Sequence, residues 1–153
     1  MTNFVEDFQI LGQVLEADGW HPKPFNGTFI YWIGNSGKQG FVSCYAQVMP
    51  ELALFSFQVI APLKAPPAAR PAVVELVARV NFGLALGSFV LDFRDGEVRY
   101  KGGLPLNGEG LDPEQVRRVV HTGLEAMDSF IPALKAVVSG GKTPSESLED
   151  INE

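Results

Sequence analysis

Three runs dense in β-branched and aromatic residues, TFIYWI, GFVSCYAQV and LALFSFQVI, lie between residues 28 and 60. Such residues favour the pleated surface of a sheet. GNSGKQG joins the first pair and Met49-Pro50-Glu51 the second. Connectors this short predict an antiparallel meander. The runs are apolar on both faces: Phe29, Tyr31 and Ile33 against Ile30 and Trp32, then Leu52 and Leu54 against Phe55 and Phe57. A meander of this kind needs cover on both sides, and that demand shapes the rest of the reading.

Helical spacing supplies the cover. Phe4, Phe8, Leu11 and Leu15 recur at three- and four-residue steps, predicting an amphipathic helix over 3–17 that Asp18-Gly19 stops. HPKPFNG reads as a loop. The proline-laden APLKAPPAARP leads into a helix over about 70–83, with Val73, Leu76, Val77 and Val80 on one side and Gly83 as a C-terminal cap. In LDPEQV, Asp112 caps a third helix, Pro113 takes its first position and Gln115 completes a capping box. Val116, Val119, Val120, Leu124, Met127, Ile131 and Leu134 form its apolar side, and Pro132 predicts a kink or break. TPSESL repeats the start signal, so a short helix is expected in the tail.

The last strand pair comes from FVLDFRDGEVRYKGG, Phe89 to Gly103. Asp95-Gly96 between alternating runs predicts a two-residue turn, because both turn residues need positive φ. Closing it there sets Phe93 opposite Val98 and Leu91 opposite Tyr100 on the core face. Arg94 then faces Glu97, and Asp92 faces Arg99, as charge pairs on the other side. The dense carboxylates Asp92, Asp95 and Glu97 thus read as decoration of a β-ribbon. As a calcium loop DFRDG has the wrong spacing, with Arg94 in its middle.

The order α-β-β-β-α-β-β-α predicts an α+β fold, a single antiparallel sheet of about five strands packed by three helices. One domain over residues 1–140, followed by an acidic tail at 141–153, accommodates all 153 residues. Three helices cover one face of such a sheet. For the second face, either the helix at 70–83 crosses over or a partner is needed, since a large exposed apolar patch marks an interaction surface.

Composition narrows the function. Twelve Lys and Arg against eighteen acids give a formal charge of −6, with no basic cluster to displace counterions from phosphates. Neither nucleic acid nor an anionic membrane is an expected partner. The single cysteine, Cys44, excludes an internal disulfide and fits a reducing compartment. MTNFVEDFQI has no basic start for a secretory signal, and no apolar run approaches a membrane span, so the expected location is the cytoplasm.

Motifs for chemistry are absent from the sequence. GNSGKQG has only two residues between Gly34 and Gly37 and leads into a strand, so it reads as a hairpin tip rather than a phosphate loop. His121 and Glu125 are four apart on a helix, but zinc wants at least three protein ligands. Cys44 alternates with Val42, Ala46 and Val48 and reads as core. No serine sits in a nucleophile elbow. Gly123, inside a helix, points to close backbone packing. No catalytic, cofactor or metal site is expected.

Several pieces in order resemble the YbjN-type bacterial family, grouped as candidate sensory transduction regulators. They are a helix from Pro71 ending in Val80-Asn81-Phe82, then FVLDFRDGEVRYKGGLPL, GLDPEQVRRVV, Asp128-Ser129-Phe130-Ile131-Pro132 and TPSESL, covering about residues 50–150. The resemblance implies a fold like that of type III secretion chaperones, a binding or regulatory role, often as a homodimer, and no established catalytic residues. The leading expectation is therefore a non-catalytic, chaperone-like protein-binding module, a cytoplasmic homodimer with an unknown protein partner. Its expected surface is the sheet face bearing Trp32 and Leu54, with Val73 and Val77 of the second helix. The alternative is a small-molecule binder or enzyme with a pocket at Trp20, His21 and His121.

Overall fold

The computed structural model describes residues 3–108 and 110–149. Its elements are helix α1 (Phe4–Ala17), strands β1 (Lys23–Pro24), β2 (Ile30–Gly37), β3 (Gly40–Met49) and β4 (Leu54–Ile60), helix α2 (Arg70–Gly83), strands β5 (Ser88–Leu91) and β6 (Val98–Pro105), and helices α3 (Pro113–Val138) and α4 (Pro144–Glu149). The strands form one antiparallel sheet in the order β1-β2-β3-β4-β6-β5. This is the α+β fold the sequence predicts, with one strand more than counted. The extra strand is β1, inside the stretch read as a loop. Its two residues pair with Tyr31 and Trp32 at the sheet edge, where Pro24 is tolerated because an edge strand can spare a donor.

Register explains why the apolar positions alternate. Ile33, Cys44, Val59, Tyr100 and Phe89 are successive partners across the sheet and are all buried. The adjacent row, Trp32, Tyr45, Gln58, Lys101 and Ser88, faces the other way. Every long helix packs on the first face. Phe8 of α1 stacks on Tyr31 at 4.1 Å, and the Tyr31 hydroxyl donates to the Phe8 carbonyl at 3.1 Å. Phe130 of α3 stacks on Phe89 at 4.1 Å. Asn81 of α2 bonds both the N–H and the carbonyl of Phe89, at 2.8 and 3.0 Å. The second helix does not cross over, and among the described residues no helix lies on the far face of the sheet.

Asp112 caps α3 as the sequence predicts. Gly83, by contrast, is the last residue of α2 without a left-handed turn, Leu84 taking the cap position, and α1 starts from a cap at Asn3 that its apolar spacing does not announce. Asn3 Oδ1 accepts from Glu6 N at 3.1 Å to start α1, and Asp112 Oδ1 accepts from Glu114 N at 2.9 Å to start α3. Gly123 lets α3 approach the sheet, since a Cβ there would stand 3.0 Å from both the Phe57 and Tyr100 rings. The tail helix forms as well: Thr143 and Glu146 cap reciprocally, and α4 packs on α2 and α3.

Two local expectations are corrected. α3 runs through Pro132 without a break. Its neighbours hold it on both sides of the proline, because Phe130, Ile131, Ala133 and Leu134 are all buried. The β5–β6 hairpin does not close at Asp95-Gly96 as a two-residue turn. Leu91 pairs with Val98 and Phe89 with Tyr100, two residues off the predicted register. An even shift keeps every strand residue on its predicted face, but Phe93 is expelled into the loop at 62% exposure. The aspartates cause the wider loop. Asp92 Oδ1 accepts from Arg94 N at 2.9 Å and Asp95 Oδ1 from Glu97 N at 3.0 Å, each side chain turning its own backbone. Arg94 therefore pairs with Asp92, and Arg99 with Glu97, rather than across the strands.

Candidate protein-binding face

Period-two alternation in β2, β3 and β4 sends one set of large side chains away from the helices. Trp32, Tyr45, Leu54 and Ile60 are half-buried there, and Phe41 is 53% exposed. Phe25, from the turn after β1, joins them with its ring 6.0 Å from Tyr45, while Trp32 lies 6.2 Å from Phe41. Cations lie over the rings: Lys23 Nζ is 5.4 Å from the Trp32 centroid and Arg99 Cζ 6.0 Å from that of Tyr45. Arg99 is held in place by Glu97 and by Gln58, whose Oε1 accepts at 2.9 Å. Aromatic faces with cations poised above them form a surface suited to recognition. Aromatic and basic side chains of this kind offer contact area and direct it.

The four residues expected to share one interaction surface do not meet. Trp32 and Leu54 are on the open face. Val73 is wholly buried under α2 and Val77 is half-buried against the same core, both on the helix side of the sheet. What α2 exposes instead is Phe82, at 95%, with Leu86 just beyond the helix at 72%. They went unnoticed because apolar residues at a helix end carry no sign of which way they face. Asn81 decides it: by clamping Phe89 inward, it turns the next residue out.

Trp20 and His121 do come together, with ring centroids 6.0 Å apart. Asp18 joins them, accepting from Trp20 Nε1 at 2.8 Å and meeting His121 Nε2 at 2.7 Å. Burial pushes the Asp18 carboxyl up, and the bonds from His121 and Trp20 outweigh it, leaving the group below its ordinary range. His21 turns away from this trio. Its side chain is mostly in solvent, at φ 52°, with Nδ1 3.7 Å from Glu16. The trio ties the end of α1 to α3 as a tether between the two helices.

The carboxylates of the hairpin are each engaged. Arg94 holds Asp92 down to about 2. The Glu97 N–H and then Lys64, at 3.4 Å, lower Asp95. Arg99 takes Glu97. Burial pushes the Cys44 thiol up to about 12, so it is packing rather than a nucleophile. Among the described residues, no helix is long and apolar enough to cross a membrane.

Among the described residues, a single antiparallel sheet with its helices on one face and rings with cations on the other defines an α+β fold. The chain belongs to the YbjN family, described as "Putative bacterial sensory transduction regulator", whose model matches residues 8–136. In fold it is similar to the crystal structure of YbjN from E. coli, at 18% identity and TM-score 0.63, covering 84% of this chain and 89% of that one. It is similar also to a chain of the ExsC–ExsE complex, at 10% identity and TM-score 0.55, covering 85% and 94%. A chain of the HopA1–SchA chaperone–effector complex aligns at 14% identity and TM-score 0.57, covering 83% and 95%. The fold is thus that of type III secretion chaperones, as expected. A comparison with curated proteins finds no match in sequence.

Proposed function

We propose that this protein is a non-catalytic, chaperone-like binding module of a bacterial cytoplasm, one domain over residues 1–140 with an acidic tail, acting as a homodimer on another protein. The observation that carries the reading is the helix-free sheet face, where Phe25, Trp32, Phe41, Tyr45 and Leu54 lie with Lys23 and Arg99 above them. Membership of a family described as regulatory, and a fold shared with chains solved in chaperone–effector and ExsC–ExsE complexes, support it. Phe25 and Phe41 are exposed, so replacing both with serine leaves the core intact. Tagged wild-type protein is expected to capture a protein from its native lysate, and the Phe25→Ser, Phe41→Ser variant to lose it at unchanged circular dichroism. A partner retained by that variant would place binding elsewhere.

The dimer is assigned to the end of α2. Phe82 projects beside a cleft of about 500 Å³ between α2, α3 and α4, lined by Val80, Leu84, Ala126, Phe130 and Leu148. A knob next to its own hole is self-complementary under a two-fold axis. Sedimentation is expected to give a dimer for wild type at tens of micromolar and a monomer for Phe82→Glu, with thermal stability of the protomer kept. A wild-type monomer at high micromolar concentration refutes the seam.

A further inference from the structure

A second cavity, of about 300 Å³, lies on the helix side of the sheet, where the first turns of α3 stand over the end of β6. Its origin is a missing side chain. Gly102 pairs with Phe57 and so points toward the helices, and any other residue there would project into this space. A Cβ at Gly102 would already stand 3.2 Å from the Tyr100 ring. Tyr100, Leu104 and Val119 wall the cavity, and Thr122 and Arg118 line it from α3.

Arg118 gives the cavity its character. Arg79, Arg94, Arg99 and Arg117 each pair with a carboxylate, and Arg70 donates to backbone carbonyls. Among the described residues, Arg118 is the one arginine with no ion pair or hydrogen bond, and it lies beside an apolar hollow. A guanidinium fork matches a carboxylate in two parallel bonds. The volume is at the lower end for ligand pockets, enough for a ring and a short chain. We propose that this cavity binds a small amphiphilic monocarboxylate, its apolar body on Tyr100, Leu104 and Val119 and its carboxylate on Arg118. The site is independent of the protein-binding face, which lies on the other side of the sheet.

The test uses 4-phenylbutyrate and its neutral amide as probes, followed by amide NMR shifts of the full chain. Phenylbutyrate is expected to shift Gly87, Gly102, Gly103 and Val119 saturably at millimolar concentration, and to bind about tenfold tighter than the amide. Arg118→Gln, an exposed substitution, is expected to erase that tenfold preference. Val119→Trp, filling the hollow, should abolish binding of both. Equal binding of acid and amide to wild type overturns the proposal. So do shifts centred on other residues, absence of saturation, or an undiminished preference in Arg118→Gln.

Discussion

Gly96→Ala is expected to destabilise the fold by about 3 kcal/mol, read as a lower denaturation midpoint at unchanged slope. Two costs add. Gly96 has φ +80°, where a Cβ costs about 1–2 kcal/mol. That Cβ would also stand 2.0 Å from the carbonyl oxygen of Ala65, and overpacking against fixed atoms costs about 1–3 kcal/mol. The loop cannot back away cheaply. Ala65 N donates to the Gly96 carbonyl at 2.8 Å, while Arg70 bonds the Ala65 carbonyl through Nε and the Phe93 carbonyl through Nη1. Gly140→Ala is the control: φ there is +79° and nothing lies within 4 Å of the new Cβ. It is expected to cost about 1 kcal/mol. If the two substitutions cost the same, the hairpin is not docked on the crossover segment.

That docking is also why the hairpin was only partly legible. Asp95-Gly96 announces a turn truthfully, and the alternation of Phe89, Leu91, Val98 and Tyr100 gives the faces. The loop is widened by Asp92 and Asp95 bonding their own backbone and is held against Ala65, some thirty residues earlier in the chain, and strand alternation carries no trace of either. The strands of the meander, the cap at Asp112 and the tight approach at Gly123 could be read because each has a local cause. For the open sheet face, alternation was enough to put Trp32 and Leu54 together. It could not recruit Phe25 from a loop, nor tell that Val73 and Val77 are the inward side of their helix. A hydrophobic residue at helical spacing looks the same whether it meets the protein's own core or a partner, and Phe82 was passed over for the same reason.

Asp7→Asn is expected to raise stability at pH 7 by about 1–3 kcal/mol, the range for a buried group left without its bonds. In sequence, Glu6 and Asp7 look like ordinary acids in the first turns of a helix, favoured by its dipole. In the fold they part. Asp7 is 2% exposed, and its Oδ2 has no hydrogen-bond partner. Burial pushes its carboxyl up; an N–H bond from Leu111 opposes that only in part, and the charge of Glu6 adds to it. The folded state therefore holds this proton more tightly than the unfolded chain does. Stability contributed by the neutral form is complete below the unfolded value of 3.8 and is lost as pH rises through the folded value. Asparagine keeps an oxygen for Leu111 and carries no charge to desolvate. Its advantage should shrink toward zero below about pH 4, so urea melts of both proteins at pH 7 and pH 3 give the measurement. An equal difference at the two pH values would mean that the carboxylate is solvated after all. A loss at pH 7 would mean that it has a cation for company.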